Sequence, residues 1–496
     1  MAGKYFPDRD SFKEKAKKGS LIPVCRELAA DLDTPVSVFL KLGQEAPTFL
    51  LESVERGENL GRYTFMGLGH SQVLESKGKQ AIIHNGSENH EITLLDQDPL
   101  HLIQEILNSR QPITMPGLPP FCGGAVGYTS YDIVNFFEEL PHPEHDELDL
   151  PDCIFLFTDT MLAFDHVQHK MKIIANAYVD GDADVAYNDA TGKIENMIAS
   201  LTKPLPAESQ TLIAMDSDPA GKELSSNFTK EEFARIVSEA KEYIAAGDAI
   251  QIVLSQRLRR QTNARPFDIY RALRMINPSP YMFYFNFGEF QLIGSSPEVL
   301  VKAQGNQAVA RPIAGTRPRG ATEEEDRALI TELLADPKER AEHVMLVDLA
   351  RNDLGRVCDY GTVRVPELMV IEKYSHVSHI VSEVEGKLNS GEDAFSLLRA
   401  SFPAGTVSGA PKIRAMEIIA ELEKTKRGPY AGAVGYFDFS GNMDTCITIR
   451  TIVMKGDTVY LQGGAGIVAD SDPLTEHQET MNKTKALERA ISIAEG

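Results

Sequence analysis

Tryptophan is missing from the 496-residue sequence, and the five cysteines are scattered without a C-x-x-C pair. This spacing argues against a disulfide framework and favours a reducing compartment, so we predict a cytoplasmic protein. Apolar runs are short: none approaches the roughly 18 residues of a membrane span, and the polar N-terminus lacks the apolar core of a secretory signal. The composition therefore indicates a globular protein that does not act in a membrane.

Positive charge is scarce too, because 50 lysines and arginines face 72 aspartates and glutamates, for a net charge of −22. A surface of this sign repels nucleic acid and anionic membranes, so we expect neither as a partner. An anionic small substrate would then need a local cationic pocket or a bound metal. The sequence also has no G-x-G-x-x-G after a predicted strand and no G-x-x-x-x-G-K-[ST], which argues against the common nucleotide-binding folds.

Helix and strand signals divide the chain into two regions. The region 1–226 alternates short β-like runs with loops, and it ends in a polar, proline-containing stretch at 203–227 that we interpret as a linker or a long surface loop. The region 227–496 opens with a T-x-x-E capping box at Thr229 and an amphipathic helix that Gly247 ends.

Two further patterns concern the architecture. We predict a long helix over about 323–352, then three antiparallel strands and a last helix from about 473. The pentapeptide GAVGY occurs at 124–128 and at 432–436, each time leading into a predicted strand, which suggests two similar sheets, one in each half, in contact. Meanders separated by helices favour an α+β fold with large antiparallel β-sheets over a doubly wound parallel one.

Two acidic pairs have helical spacing. Glu339 and Glu342 lie on the predicted long helix, and each pair, at i and i+3, shares one helix face. Glu476 and Glu479 repeat this on the last helix. Two such faces opposite each other would form an oxygen-only site suited to Mg²⁺. A solvated helix face is the alternative for either pair, since the same spacing recurs at Glu52/Glu55 and Glu239/Glu242.

Two glycine-containing segments offer groups that could bind a ligand. In QGGAGIV, residues 462–468, the run Gly464-Ala465-Gly466 would expose backbone N–H groups that bind an anion, unless it is a plain tight turn. In SFPAGTVSGAPK, residues 401–412, Thr406 offers a hydroxyl just before a helix, or belongs to an ordinary capping loop.

The segment RPIAGTRPRG, residues 311–320, concentrates three arginines among prolines and glycines. Proline fixes φ and glycine frees it, so the backbone is shaped rather than periodic. Arginines in such a loop suggest an anionic ligand, although they could equally brace the loop through nearby carboxylates. The inert Ala314 lies at its centre.

Four isolated polar residues stand in apolar or turn contexts. Arg450 interrupts the predicted strand TCITIRTIV, and a buried arginine usually has a carboxylate partner from the protein or from a ligand. Glu298 comes at a strand exit, where an acid of raised pKa would suit general acid catalysis. Tyr430 follows a Gly-Pro turn. His379 lies in an apolar stretch, where a lone histidine is more often structural.

Taken together, these segments resemble the chorismate-utilising enzymes and, among them, the large subunits of anthranilate synthase. The resemblance is dense in the C-terminal half and thin in the N-terminal half. Its segments are LLES (50–53), NPSPYMFY (277–284), GSSPE (294–298), PIAGTRPRG (312–320), LVDLARNDLGRV (346–357), FPAGTVSGAPK (402–412), GPYAGAVGY (428–436), ITIRT (447–451) and GGAGIVADSDP (463–473).

The resemblance implies a sandwich of large antiparallel β-sheets with helices outside, chorismate as a dianionic substrate and Mg²⁺ as cofactor. Glu298, His379 and Thr406 form the implied catalytic group: Glu298 would protonate the leaving C4 hydroxyl, and His379 would assist the loss of pyruvate. The implied Mg²⁺ ligands are Glu339, Glu342, Glu476 and Glu479. The implied substrate contacts are Gly315, Thr316, Tyr430, Arg450, Gly464, Ala465, Gly466 and Lys483.

Two positions distinguish members of this family. Relatives that activate water carry a lysine where this chain has Gln251, and a neutral amide cannot act as a base. Aminodeoxychorismate synthase carries a nucleophilic lysine where this chain has Ala314, which forms no covalent adduct. The resemblance therefore implies that external ammonia attacks C2 and that anthranilate and pyruvate form, as the first step of L-tryptophan biosynthesis. Aminodeoxychorismate synthase component I is the alternative.

The resemblance also implies two partners. The chain has no G-x-C-x-G nucleophile elbow, so ammonia would come from a separate glutamine amidotransferase subunit, in a heterotetramer with two of each chain. L-Tryptophan would act as a feedback inhibitor in a pocket that joins N-terminal to C-terminal segments, as suits a two-state allosteric enzyme. The implied pocket residues are Glu52, Ser53, Pro280, Tyr281 and Met282.

Overall fold

The computed structural model describes most of the chain, and the predicted linker at 203–227 lies largely outside the described residues. The described ranges are 5–43, 45–53, 61–206, 213, 224–374 and 377–496. Within them, no helix combines the length and the apolarity needed to cross a lipid bilayer.

Twelve strands among these residues form a first antiparallel sheet. In spatial order they are β1 (Leu21–Ala29), β10 (Lys170–Tyr178), β9 (Thr160–Asp165), β3 (Tyr63–Gly69), β2 (Thr48–Glu52), β13 (Tyr281–Asn286), β14 (Phe290–Ser296), β23 (Thr451–Lys455), β24 (Thr458–Ile467), β12 (Gln251–Gln261) and β11 (Ser225–Ser226), with β20 (Gly409–Ala410) beside β12.

Twelve further strands of the described chain form a second antiparallel sheet. In spatial order they are β17 (Ile313–Pro318), β19 (Val377–Lys387), β16 (Gln307–Ala310), β15 (Val299–Gln304), β22 (Met443–Ile447), β21 (Ala433–Asp438), β7 (Gly124–Thr129), β8 (Cys153–Thr158), β4 (Gln72–Lys77), β5 (Gln80–Asn85) and β6 (Glu88–Thr93), with β18 (Arg364–Lys373) beside β19.

Helices cover the outer faces of both sheets. They are α1 (Arg9–Ala16), α2 (Pro35–Leu42), α3 (Pro99–Asn108), α4 (Ala183–Leu201), α5 (Lys230–Ala246), α6 (Pro266–Ile276), α7 (Glu323–Ala335), α8 (Pro337–Gly355), α9 (Ala394–Ser401), α10 (Gly405–Ser408), α11 (Lys412–Glu423) and α12 (Pro473–Glu495), with a 3-10 helix at Tyr131–Phe136.

The apolar core is layered. Between the sheets, Phe49 and Phe285 of the first sheet pack in one cluster with Val126 and Val434 of the second. Apolar residues of α1, α2, α4, α6 and α12 bury the outer face of the first sheet, and those of α3, α8 and α9 bury the second. This arrangement confirms the predicted α+β sandwich with helices outside.

The start and end signals of α5 are confirmed. The Thr229 hydroxyl accepts from the Glu232 N–H at 3.2 Å, and the Glu232 carboxylate accepts from the Thr229 N–H at 2.8 Å, which completes the predicted capping box. Gly247 ends the helix in the left-handed conformation, at φ 88°, which costs glycine little.

The prediction of one long helix over 323–352 is wrong, because α7 ends before α8 begins. Asp336 adopts an extended conformation and its side chain accepts from the N–H groups of Lys338 and Glu339. Pro337 occupies the first turn of α8, where its missing N–H costs nothing, and it disfavours a helical residue before it. The break sets the direction of α8 independently of α7.

The interpretation of the repeated GAVGY pentapeptide is also wrong. The two copies do not belong to separate sheets, since β7 and β21 pair directly within the second sheet, with Gly127 opposite Gly435. Close approach explains the glycines: a Cβ at Gly127 would lie 1.9 Å from the Ile154 carbonyl oxygen. Both sheets in fact combine strands from before and after residue 226.

Two crossovers between the sheets lie side by side. The chain leaves β14 of the first sheet and enters β15 of the second through Pro297 and Glu298, while it leaves β22 and enters β23 through residues 448–450. The Ile447 N–H donates to the Glu298 carbonyl oxygen at 3.0 Å. The single strand predicted over TCITIRTIV is therefore wrong: it is two strands, broken at Arg450, whose φ is 52°.

Candidate active site

A cavity of about 560 Å³ opens beside these crossovers, and Pro297, Glu298 and Arg450 line it. The residues predicted for catalysis, substrate contact and Mg²⁺ binding line it, with Ala465 as the exception. The predicted residues in its wall are Glu298, Gly315, Thr316, Glu339, Glu342, His379, Thr406, Tyr430, Arg450, Gly464, Gly466, Glu476, Glu479 and Lys483.

Glu298 projects from the first crossover and is 8% exposed. Burial raises the pKa of its carboxyl to about 8, although a hydrogen bond with the Thr406 side chain and the positive charge of Lys483 offset part of that rise. A carboxyl with this pKa is protonated at neutral pH and can give its proton to a leaving hydroxyl. The structure therefore places a carboxyl of raised pKa in the cavity wall, and its role as a general acid stays a prediction.

The two acidic pairs reach the same cavity from different helices. Glu339 pairs with Arg317 at 3.0 Å, and Glu479 pairs with Lys483 at 2.7 Å. Burial raises the pKa of Glu342 and of Glu476, and the second glutamate of each pair raises it further. Glu476 is buried and Glu342 is half-buried, and neither carboxylate has an ion pair among the described residues to offset the repulsion from its neighbour.

This donor set has the chemistry that Mg²⁺ prefers, because carboxylate oxygens are its usual protein ligands. A divalent cation would relieve the repulsion at Glu342 and Glu476. Within the described chain, however, no three His, Cys, Asp or Glu side chains are close enough together to hold a metal. The donor chemistry of these residues fits the ion.

The Gly464-Ala465-Gly466 segment is a strand rather than the predicted turn. It belongs to β24 and pairs with β12, Gly464 opposite Ser255, and β23 runs beside β24 no further than Leu461. The Gly464 carbonyl accepts from Lys483 Nζ at 2.9 Å. Since the N–H and C=O of one strand residue point the same way, the Gly464 N–H also faces this open edge.

Small residues are needed along this edge. A Cβ at Gly464 would lie 2.5 Å from the Tyr430 hydroxyl, and one at Gly466 would lie 2.7 Å from Gln251 Nε2. Ala465 alternates to the other face and packs, fully buried, in the cluster formed with α5 and α11. A direct substrate contact through the Ala465 side chain is therefore excluded.

Arg450 lies in the cavity wall without a carboxylate partner among the described residues. Its positive φ turns it out of the strand direction, and its guanidinium donates to the Lys483 carbonyl oxygen. Burial lowers the pKa of Arg450, as expected for a cation that is not yet paired. Glu479 acts on Arg450 only through its charge, without an ion pair, so the structure shows no direct protein partner among the described residues.

His379 of β19 faces the cavity beside a bulge in β17. Its Nδ1 lies 2.9 Å from the Gly315 carbonyl oxygen, which can only accept, so Nδ1 carries the proton and Nε2 has a free lone pair. Burial lowers the pKa of His379, which favours the neutral ring. Gly315 is the extra residue of the bulge, at φ 65°, a conformation that favours glycine.

The arginines of RPIAGTRPRG bind protein carboxylates. Arg311 pairs with Glu372, and Arg319 pairs with Asp326 at 2.8 Å. Arg317 reaches Glu332, Asp336 and Glu339 at 3.0–3.2 Å. The bracing alternative is thus the one observed: these arginines fix β17 against α7, α8 and β18, and the anion-clamp hypothesis is wrong.

A second cavity, of about 370 Å³, lies between the sheets and brings together the residues predicted for tryptophan binding. Glu52, Ser53, Pro280, Tyr281 and Met282 all line it, together with the aromatic side chains of Tyr63, Phe65, Phe283 and Tyr436.

The polar groups of this second cavity differ in availability. The Glu52 carboxylate is engaged, because it accepts from the Tyr270 hydroxyl at 2.5 Å and from Arg274 at 2.8 Å. Ser53 Oγ is buried and has no hydrogen-bond partner within the described residues. Ser53 is therefore better placed than Glu52 to bond a ligand directly.

Two polar residues of the active-site wall were missed by the sequence analysis. Lys338 lies next to Glu339 and four residues before Glu342, and its positive charge opposes the rise in the pKa of Glu342. Its i, i+4 spacing to Glu342 was the available signal. Gln462 donates to Ser255 Oγ at 2.8 Å and sits on β24 before the glycines; no sequence signal marked it.

Comparison with known proteins agrees with this geometry. The profile of the chorismate binding enzyme family matches residues 47–489. Anthranilate synthase component 1 of Acetivibrio thermocellus is 48% identical over 99% of both chains, and that of Synechocystis is 50% identical over 98% of this chain and 99% of its own.

Solved structures give the same result. Anthranilate synthase component I from Streptococcus pneumoniae superposes with a TM-score of 0.76 at 35% identity, covering 93% of this chain and 99% of its own. The menaquinone-specific isochorismate synthase from Escherichia coli shares the fold, with a TM-score of 0.71 at 20% identity and coverage of 97% and 99%.

The chain therefore belongs to the chorismate-binding enzyme family. Within that family, its near-full-length similarity to anthranilate synthase component 1 confirms the predicted kinship with the large subunits of that enzyme. The same relatives favour this prediction over aminodeoxychorismate synthase component I.

Proposed function

We propose that the chain converts chorismate and ammonia into anthranilate and pyruvate, as the large subunit of anthranilate synthase. The observation that carries this is one cavity holding a protonated acid, Glu298, and a cation, Arg450, that has no carboxylate partner among the residues the structure describes. The acid suits departure of a hydroxyl, and the cation suits a carboxylate of the substrate.

The described groups support each step at a named atom. Ammonia forms a bond to C2 while the C4 hydroxyl takes the proton of Glu298 and leaves as water. His379 Nε2 is free to accept the C2 proton as pyruvate departs and the ring becomes aromatic. Arg450, Tyr430 and Lys483 hold the enolpyruvyl carboxylate.

Mg²⁺ is part of this proposal. When bound, it would neutralise the ring carboxylate and act as a Lewis acid, and Glu339, Glu342, Glu476 and Glu479 would hold it. The N–H groups of Gly464 and Gly466 would take the same carboxylate at the open edge of β24.

Two residues direct the choice of nucleophile. Gln251 Nε2 donates to Glu342 at 3.2 Å, and an amide in this position cannot activate water. Ala314 lines the cavity and offers no group to attack the ring. The nucleophile must therefore come from outside the chain, as ammonia does.

A glutamine amidotransferase subunit is the proposed source of ammonia, in an assembly with two of each chain.

We also propose that the regions 1–226 and 227–496 have different roles, the first contributing to the tryptophan site and the second forming the catalytic site. The described active-site residues all come from the second region, whereas the second cavity combines Glu52 and Ser53 with Tyr281 and Met282.

The product assay tests the proposed function. Purified chain, chorismate, Mg²⁺ and an ammonium salt are expected to yield a blue-fluorescent product and an equal amount of pyruvate without any second subunit. Accumulation of an aminated chorismate without pyruvate would instead support the aminodeoxychorismate alternative. Omitting ammonium is the control that separates amination from attack by water.

We further propose that L-tryptophan inhibits the enzyme from the second cavity. Its aromatic wall suits an indole ring, and the buried Ser53 hydroxyl suits a polar group of the ligand. Met282 pairs with Glu52 across β13 and β2, and β13 continues through its hairpin partner β14 to the Glu298 crossover. This strand pair gives a continuous physical connection between the cavities.

Replacing Ser53 with phenylalanine is expected to leave ammonium-dependent turnover near that of the native chain while raising the tryptophan concentration for half inhibition by about tenfold or more. The larger ring fills space that the ligand would occupy. Inhibition curves at fixed chorismate measure this. Ser53→Ala, which removes the hydroxyl alone, should shift the curve far less, and unchanged inhibition in Ser53→Phe would contradict the pocket assignment.

A further inference from the structure

A third cavity, of about 40 Å³, adjoins the active-site cavity. Glu298, Leu346 and Thr406 line both spaces, so the acid stands in the wall between them. The small cavity is otherwise enclosed mainly by apolar side chains of α8 and β15. Because a water needs at least about 10–15 Å³ and takes about 30 Å³ in the liquid, this cavity has room for one or two molecules of that size.

One hydroxyl in the wall of this small space has no partner among the described residues. Ser401, the last residue of α9, is 4% exposed and lines the cavity, and its Oγ has no hydrogen-bond partner among the described residues. The Thr406 hydroxyl, in contrast, lies close enough to the Glu298 carboxyl for a hydrogen bond that lowers the pKa of that carboxyl. A buried hydroxyl without a partner is costly, and natural proteins generally satisfy such groups with ordered small molecules.

The charged groups of the cavity define what the occupant can be. Asp353 lines it and pairs with Lys412 at 2.9 Å, and Lys412 also donates to the Ser401 carbonyl oxygen at 3.2 Å. Asp353 is neutralised by Lys412, Arg311 of the same wall pairs with a glutamate of β18, and Glu298 is protonated at neutral pH, so a charged occupant would find no free counter-charge among these groups. The volume is too small for a metal ion with its own water shell, so a neutral hydrogen-bonding molecule fits best.

We propose that this cavity binds one or two small neutral molecules, either ammonia or water, in contact with the Ser401 hydroxyl and the Glu298 side chain. The proposal rests on the proposed function, in which Glu298 acts on the substrate. The reaction consumes one ammonia and releases one water beside this acid, so either molecule has a chemical reason to occupy the site. Occupancy involves no bond making or breaking.

Two substitutions test the site from opposite directions. Ser401→Ala removes the unpartnered hydroxyl, and Ala350→Val adds two methyl groups to the wall. Ala341→Val, on an exposed position of the same helix, is the matched control. Steady-state assays with chorismate, Mg²⁺ and an ammonium salt give the KM for ammonium, the KM for chorismate, kcat and its solvent isotope effect.

The outcomes distinguish the two occupants. If ammonia occupies the cavity, both variants raise the KM for ammonium by about threefold to tenfold, as loss of one hydrogen bond implies, with the KM for chorismate unchanged. If water occupies it, kcat falls by a similar factor and its solvent isotope effect changes, with the KM for ammonium unchanged. Ala341→Val should resemble the native chain in both cases.

Two results would overturn the proposal. One is unchanged kinetics in both variants, or a shift confined to the KM for chorismate, which would reflect the substrate cavity. The other is a high-resolution crystal structure without solvent density within about 3.5 Å of Ser401 Oγ. Failure of the proposed function is a different result, since the native chain itself would then form no anthranilate.

Discussion

Replacing Glu298 with glutamine is expected to lower kcat by a factor of about 10² to 10⁴, the usual contribution of a general acid. Glutamine keeps the shape and the hydrogen-bonding capacity of the protonated carboxyl but cannot give up a proton. The KM for chorismate should change little, because Arg450 and the Gly464 edge remain. Stopped-time fluorescence of anthranilate with an ammonium salt measures both constants.

The pH dependence of kcat follows from the same group. Burial raises the pKa of Glu298 to about 8, so the acid is protonated below that pH and kcat of the native chain should fall as pH rises above about 8. In Glu298→Gln this falling limb should disappear. Glu298→Asp is the control, since it retains an ionisable carboxyl, and persistence of the limb in the glutamine variant would contradict the assignment.

The stability of the same variant should move in the opposite direction to its activity. The folded-state pKa of Glu298 lies above the ordinary value of a glutamate, so between about pH 4.5 and pH 8 the native state holds a proton that the unfolded state has lost. Native stability therefore falls as pH rises through this window. Glutamine has no such penalty, and Tm of Glu298→Gln should exceed that of the native chain at pH 8 and match it near pH 4.

The chemistry of the site could be predicted from the sequence because its residue types are local signals. The acidic pairs show helical spacing, and Glu298 follows a strand. The kind of chemistry that these residues could support was therefore predictable, although their positions in space were not. That these residues meet in one cavity could be predicted only from the family resemblance. Glu339 and Glu476 come from helices more than one hundred residues apart in the sequence. A local periodic pattern gives no information about contacts between residues so far apart in the sequence.

The errors share a physical cause, which is pairing between distant segments. TCITIRTIV alternates like one strand. The Ser295 N–H of the first sheet, however, donates to the Arg450 carbonyl oxygen at 3.1 Å, where the chain passes from the second sheet to the first. The GAVGY copies pair with each other across about three hundred residues. Such contacts are set by the whole sheet, which a window of ten residues does not reveal.

The arginines of RPIAGTRPRG show the same limit for charges. Their composition indicated binding of negative charge, and that inference was sound. The carboxylates that they bind, such as Glu372 and Asp326, lie on neighbouring elements, and composition alone cannot say whether an anion comes from protein or ligand. The break at Pro337 is different, because the sequence itself contained its signal.

Replacing Glu342 with glutamine is expected to reduce kcat/KM by about 100-fold or more, since a metal ion that polarises the substrate contributes several kcal/mol to the transition state. Glu342 is half-buried, accepts from the Gln251 amide and, unlike Glu339, has no ion pair among the described residues. The Mg²⁺ concentration for half-maximal activity should rise in parallel, and titration calorimetry should show weaker Mg²⁺ binding.

The control for this variant is Glu242→Gln. Glu239 and Glu242 have the same E-x-x-E spacing on α5, but Glu242 is exposed and lines neither the active-site cavity nor the tryptophan cavity. Its substitution should leave turnover unchanged, which separates the effect of position from that of lost charge. Tryptophan binding should survive in both variants, because the two cavities share no residue. Equal losses of activity in Glu242→Gln and Glu342→Gln would show that negative charge in general, rather than this carboxylate in this cavity, supports the reaction.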